Sequence, residues 1–197
     1  TRNSTLNVNL NITNRSPIPV ELQSLNVQTP NGWTSLPIDN NKNSDTTPTL
    51  PKTLTDNMRL SATYKVQVGD SANYDRPYWT RANTSIDRFE LIDPSYFGLP
   101  WRPPSLKANT TFLSDTTEIT LERPVQYRYK GAWVGTEKQK HVSVLPLVSV
   151  TMTPSVVVFP SRSANKSRPV SVSTSYNGQH SNSSGTLRLE APLGWTV

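Results

Sequence analysis

Seventeen prolines punctuate the 197-residue chain, and their spread decides what it can fold into. A proline inside a helix removes an amide donor and clashes with the preceding turn, at a cost of about 3 kcal/mol. An α-helix needs an uninterrupted stretch of about ten residues with apolar side chains recurring near every 3.6 positions. The longest proline-free interval, residues 52–76, carries a different period. There Met58, Leu60, Ala62, Tyr64, Val66 and Val68 alternate with Arg59, Ser61, Thr63, Lys65 and Gln67. A period of two places one set of side chains in a core and the other in water, which is an antiparallel strand.

The same pattern recurs. Leu6, Val8, Leu10 and Ile12 alternate with Asn7, Asn9 and Asn11, until Asn14-Arg15-Ser16-Pro17 breaks the ladder. Val20 and Leu22 then occupy one face and Leu25 and Val27 the other, a phase switch that predicts a β-bulge near Ser24. Further strands are expected at 86–92, 117–121, 125–129, 141–150, 155–159, 168–175 and 185–189. Tyr176-Asn177-Gly178-Gln179 holds an Asn-Gly pair, a tight-turn signal. Residues 29–52 and 93–106 read as loops, with pairing open to 33–38. The second loop carries Pro94, Pro100, Pro103 and Pro104 beside Tyr96, Phe97 and Trp101.

Many short strands joined by turn-rich segments predict an all-β fold of two tandem immunoglobulin-like antiparallel β-sandwich modules. The boundary is placed near Pro146. Residues 1–145 form a module with long proline-rich loops. Residues 146–197 form a second that falls short of the roughly 100 residues a seven-stranded sandwich takes. The second module is therefore expected to be incomplete at its C-terminal end and the chain to be a fragment of a longer protein. Trp195 is expected to plug its core.

Composition removes several function classes. Cysteine is absent, which excludes disulfides, a thiol nucleophile and thiolate zinc sites. No long apolar run exists, so no membrane span is expected. The net charge is +6 and the pI about 9.7, but the basic residues are scattered singly. The densest group, Arg162, Lys166 and Arg168, sits among Ser, Ala and Asn and reads as a solvated loop. Nucleic acid is not an expected partner.

The catalytic inventory is thin. No serine stands in a Gly-x-Ser-x-Gly elbow. Asp87, Glu90 and Asp93 are near one another in sequence, but their spacing places the first two on opposite faces of a strand, as surface charges. The aspartates at 39, 45, 56, 70 and 75 do not match a calcium-loop spacing. No cofactor or metal is expected. The sharpest candidates are aromatic: Tyr74, Tyr78 and Trp79 with Arg76 and Arg81, and a second group of Tyr96, Phe97 and Trp101. Tyr78, Trp79, Arg81, Tyr96 and Trp101 are the candidate carbohydrate or inter-domain contacts. Aromatic planes stack on the apolar faces of sugar rings, and the same side chains equally fill a core or a domain seam. At least one of Trp79 and Trp101 is expected to be buried.

Two sequence resemblances extend this reading. Residues Val150-Thr151-Met152-Thr153-Pro154 through Phe159, Arg168-Pro169-Val170-Ser171-Val172, and Gly185-Thr186-Leu187-Arg188-Leu189-Glu190-Ala191-Pro192-Leu193-Gly194-Trp195 resemble a NEW3-type (alpha-galactosidase-associated) module. Such β-sandwiches are appended to carbohydrate-active enzymes. Upstream, Asn14-Arg15-Ser16 with Pro19-Val20, Arg76-Pro77-Tyr78-Trp79, Phe97-Gly98-Leu99-Pro100 and Arg123-Pro124-Val125-Gln126-Tyr127-Arg128-Tyr129 are similar to the non-catalytic C-terminal region of large bacterial PIG-L (LmbE-like) deacetylases. The resemblance implies an accessory region of a secreted or periplasmic bacterial N-acetyl sugar deacetylase. Its partner would be the upstream catalytic domain of the same polypeptide. The zinc site of that family opens with a His-Pro-Asp-Asp type motif, and the two histidines here, His141 and His180, match neither motif nor spacing. The chain itself is therefore expected not to be an enzyme. The competing readings are an independent carbohydrate-binding module and a bacterial surface or adhesion domain.

Overall fold

The computed structural model of the chain describes residues 1–38, 48–83, 85–133, 135–159, 162, 167–179 and 184–197. In chain order the strands are β1 (Thr5–Thr13), β2 (Val20–Gln28), β3 (Thr34–Pro37), β4 (Lys52–Leu54), β5 (Arg59–Gln67), β6 (Trp79–Thr80), β7 (Glu90–Leu91), β8 (Lys107–Ser114), β9 (Thr117–Pro124), β10 (Gln126–Lys130), β11 (Glu137–His141), β12 (Val148–Thr153) and β13 (Ser171–Tyr176). One 3-10 turn, Pro94–Tyr96, is the only helical element among the described residues. The fold is all-β and every ladder is antiparallel.

Two sheets make the sandwich. One has the order β1-β5-β3 and the other β4-β2-β8-β9. From β1 to β8, successive sandwich strands alternate between the sheets, and only the β8–β9 hairpin stays within one. The alternation seen in sequence explains the packing. On β5, Leu60, Ala62, Tyr64 and Val66 are buried, and on β2, Leu22, Leu25 and Val27. Leu54, Trp33, Ala72, Leu106 and Val144 complete one continuous core. Burying each such aliphatic side chain contributes about 1.5–3 kcal/mol. The Tyr64 hydroxyl crosses the core to donate to the Leu25 carbonyl of the facing sheet. The expected bulge is present: the β2–β8 register shifts between Leu22 and Ser24.

Asn14 explains how the chain leaves the first sheet. Buried beneath the crossover, its Nδ2 donates to the carbonyls of Leu54 and Ile18, each at 2.9 Å, while its Oδ1 accepts from Ser16 N at 2.9 Å. A buried break needs its backbone groups satisfied, and this amide serves both sheets.

Several expectations are corrected. Residues 86–92 pair only at Glu90–Leu91. Residues 142–147 are not strand, so the expected 141–150 segment divides into the end of β11 and the start of β12. Residues 155–159 and 185–189 join no ladder among the described residues. Their alternating apolar side chains, including Val156, Val158 and Leu187, face solvent because no second sheet covers them. After Val144 no described residue is buried. Trp195 is 53% exposed and meets only the edge of Phe159, with ring centroids 5.0 Å apart, rather than plugging a core. The β12–β13 ribbon is held to the chain ahead of it by Asn177, whose N–H donates to Leu147 O and whose Nδ2 donates to Pro146 O and Ser149 Oγ.

Candidate functional site

Between β5 and β8 the chain makes a long excursion, and both its ends are tied into the core. Ala72 and Leu106 are buried in the sandwich. Just outside them, Asp75 acts as a clip. One carboxylate oxygen pairs with Arg102 Nη1 at 2.9 Å and the other accepts the Val144 N–H at 2.7 Å. The Asp75 N–H in turn donates to Val144 O at 2.9 Å. On the N-terminal side Arg2 donates to Ala72 O and lies over the Tyr74 ring, 4.4 Å from its centroid. The clip closes a lobe of residues 76–101.

The lobe is built from aromatic edges. β6 and β7 pair Trp79 with Leu91 and Thr80 with Glu90. Trp79 packs edge-to-face on Phe89 with centroids 4.9 Å apart, and Tyr78 on Tyr96 at 6.3 Å. Such pairs contribute about 0.5–1.5 kcal/mol beyond their buried area. The Tyr78 hydroxyl donates to Leu99 O at 3.0 Å. Asp93 caps the 3-10 turn by accepting the Ser95 N–H at 2.9 Å. That bond, aided by the Ser95 side chain, holds the Asp93 carboxyl below its ordinary value. Gly98 takes φ of +78°, a turn conformation open to glycine at no steric cost.

The two aromatic groups singled out in the sequence are thus joined through Tyr78 and Tyr96. Arg81 goes elsewhere: Nε donates to Ile86 O and Nη2 pairs with Asp87 at 2.8 Å, bracing the 81–87 turn. Tyr74 belongs to the base of the lobe, under Arg2. The expected burial of Trp79 or Trp101 does not occur. Trp79 is 45% exposed and Trp101 80% exposed, because from 73 to 105 no described residue is buried and the lobe has no interior large enough for an indole. Ile86, Phe89, Ile92 and Phe97 are exposed beside them.

No family model, curated protein or solved structure matches the chain. Among the described residues no group of three His, Asp or Glu side chains lies close enough to hold a metal ion. His141 ends β11, paired with Gln126 and exposed. His180 lies outside the described residues. Among the described residues no helix is long and apolar enough to cross a membrane.

A second feature went unseen in the sequence. The β10–β11 hairpin frames a cleft of about 640 Å³ walled by Tyr129 and Trp133. Tyr127 and Tyr129 lie tilted together at 5.7 Å, and Lys140 Nζ sits 5.2 Å from the Tyr129 centroid. Trp133 stands alone in the turn between β10 and β11 with no flanking alternation, so no periodic signal marks it. Asp75 and Arg102 were also unmarked, since a contact between residues so far apart leaves no local pattern.

Proposed function

We propose that the chain is a non-catalytic accessory region of a secreted or periplasmic bacterial PIG-L/LmbE-like N-acetyl sugar deacetylase. In this reading residues 1–145 form a sandwich module, and residues 146–197 begin a NEW3-like second one. The 76–101 lobe packs on the catalytic domain of the same polypeptide or positions its substrate. The carrying observation is the lobe's clustered exposure of Trp79, Phe89, Ile92, Phe97 and Trp101. Contiguous apolar patches mark interaction surfaces, whereas scattered single residues do not. Loops braced on a rigid sandwich are the usual carriers of such surfaces.

The test uses the full-length gene product with Phe97→Ser and Trp101→Ser combined. The reading expects a lower deacetylase rate on N-acetylglucosamine oligomers, or a lower melting temperature of the catalytic domain, with the sandwich itself unchanged. Unchanged rate and melting temperature reject it.

One observation favours carbohydrate binding by the lobe itself: both indoles, Trp79 and Trp101, face solvent. A glycan array probed with the chain decides this. Binding that Trp101→Ala abolishes replaces the accessory reading with that of a carbohydrate-binding module.

A further inference from the structure

The two sheets of the sandwich are unequal. β1 is an edge of the three-stranded sheet and β9 an edge of the four-stranded one. The inward side chains of β5 are buried, yet on neighbouring β1 Leu6, Leu10 and Ile12 are only half covered. On the other sheet, Thr110 is buried in the core and pairs directly with Leu121, while Phe112 pairs with Ile119. Directly paired residues share a face, so Ile119 and Leu121 point towards the inside of the sandwich. Even so, they are 43% and 46% exposed. A groove of about 870 Å³ runs here, lined by β1 from Leu6 to Thr13 and by Phe112 and Leu121 across from it.

The backbone of β1 is available along this groove. The ladder phase is set by Asn14 N donating to Met58 O and Val68 N donating to Ser4 O. Even-numbered residues therefore bond to β5, and the N–H and C=O groups of residues 5, 7, 9, 11 and 13 point away from it. The carbonyl of Thr5 already accepts Gln179 Nε2 at 2.8 Å on that side. From Asn7 to Thr13 the outward backbone groups have no partner among the described residues. The side chains that line the groove include Arg59, Arg123 and Arg128 and no carboxylate; Arg128 is paired with Glu137 at 3.3 Å, outside the lining.

We propose that β1 receives an extended segment of a partner protein, alternately apolar and acidic, as a fourth strand of the β1-β5-β3 sheet. Its backbone would pair with the outward groups of Asn7, Asn9, Asn11 and Thr13. Its apolar side chains would cover Leu10, Ile12, Phe112 and Leu121, and its carboxylates, on the opposite face with Asn9 and Asn11, would meet Arg59, which reaches Asn11 Oδ1 across that face at 2.8 Å. Strand addition of this kind takes affinity from main-chain hydrogen bonds and specificity from alternate side chains. A second copy of this chain is the poorer occupant, because its own arginines would meet those of the groove and the net charge is +6. The inference stands independently of the role given to the 76–101 lobe.

The probe is a fluorescein-labelled peptide of nine residues, the length of β1, alternating Val with Glu and carrying no Lys or Arg. Anisotropy titration against the whole chain is expected to saturate. Hydrogen exchange should show new protection at the amides of Asn7, Asn9 and Asn11. Asn9→Pro removes one outward donor and no backbone bond to β5, losing across it only the exposed bond from Thr63 Oγ1 to Asn9 Oδ1, so it should fold normally and weaken binding by on the order of tenfold. Arg59→Glu should weaken binding similarly, and a Val-Lys probe should not bind the wild-type chain. A probe N-methylated on the amides facing β1 should also fail, which keeps the test decisive if the proline variant does not fold. Absence of saturable binding overturns the proposal, as does binding indifferent to both N-methylation and Arg59→Glu. Self-association in analytical ultracentrifugation that Asn9→Pro abolishes would give the groove to a second copy and overturn it equally.

Discussion

Replacing Asp75 by alanine removes two interactions with different values. The carboxylate accepts the Val144 N–H at 2.7 Å, and Val144 is buried. A hydrogen bond to a charged group contributes about 1.5–3 kcal/mol, and a buried donor left unpaired costs its full desolvation. The pair with Arg102 is partly wet, with side chains 22% and 34% exposed, and such pairs contribute at most about 1 kcal/mol. Asp75→Ala should therefore cost about 2–4 kcal/mol. Asp75→Asn keeps a carbonyl for the Val144 N–H and loses the charge, so it should cost about 1 kcal/mol, and Arg102→Ala should cost no more than that. Urea unfolding followed by circular dichroism gives the three values. Hydrogen exchange across 76–101 then shows whether the lobe loosens before the sandwich melts. Equal costs for alanine and asparagine, or Arg102→Ala as the most damaging of the three, would refute the role of Asp75 as a clip.

Leu22 has no exposed surface, so Leu22→Ala should cost about 2.7–5 kcal/mol, whereas Trp195→Ala should change stability by no more than about 0.5 kcal/mol. A large loss at Trp195 in the same urea assay would mean that a core exists beyond Val144. Tyr64→Phe should cost about 0.5–1.5 kcal/mol through the lost bond to Leu25. Burial raises the Tyr64 pKa above its ordinary value of 10.0, so the fold favours the neutral phenol. Its contribution is complete below about pH 10 and is lost as pH rises from there through the folded pKa. Urea midpoints taken across that window should fall more steeply for the wild type than for the phenylalanine variant, and parallel curves would refute the assignment.

The strands legible in sequence are those whose two faces differ sharply in polarity. β1 and β5 alternate Leu, Val or Tyr with Asn, Ser, Thr or Lys, and β2 shows its bulge as a change of phase. β8 escaped notice although it is the strand that β2 and β9 both pair with. Its inward positions are Ala108, Thr110 and Phe112, and a buried threonine erases the contrast that a period of two depends on. The opposite failure occurs at 155–159 and 185–189. There the alternation is present but no strand among the described residues pairs with it, and a strand needs a partner as much as a pattern. Trp79 and Trp101 stand out in the sequence as bulky aromatics, but the burial expected of one of them does not occur. Hydrophobicity fixes the cost of exposing an indole, but only the surrounding packing decides whether a cavity exists to take it.

The alternation of strands between the sheets also governs the order in which the molecule can be made. Leu6 pairs with Val66, and Val27 with Ala108, so neither sheet can close from neighbouring segments alone. Pairing of distant segments demands loop closure before any contact repays it, which slows folding. On the ribosome β1 must wait, unpaired, until β5 has emerged, and β2, apart from the three residues that pair with β4, until β8 has. During that wait the asparagines of β1 and the polar half of β5 are outside any ladder, and they serve the nascent chain as they serve the finished one, by keeping an unpaired strand soluble. Overproduction would strain this interval before it strained the folded state. Slowing synthesis or lowering temperature should raise the soluble yield of the chain, without altering the melting temperature of the product.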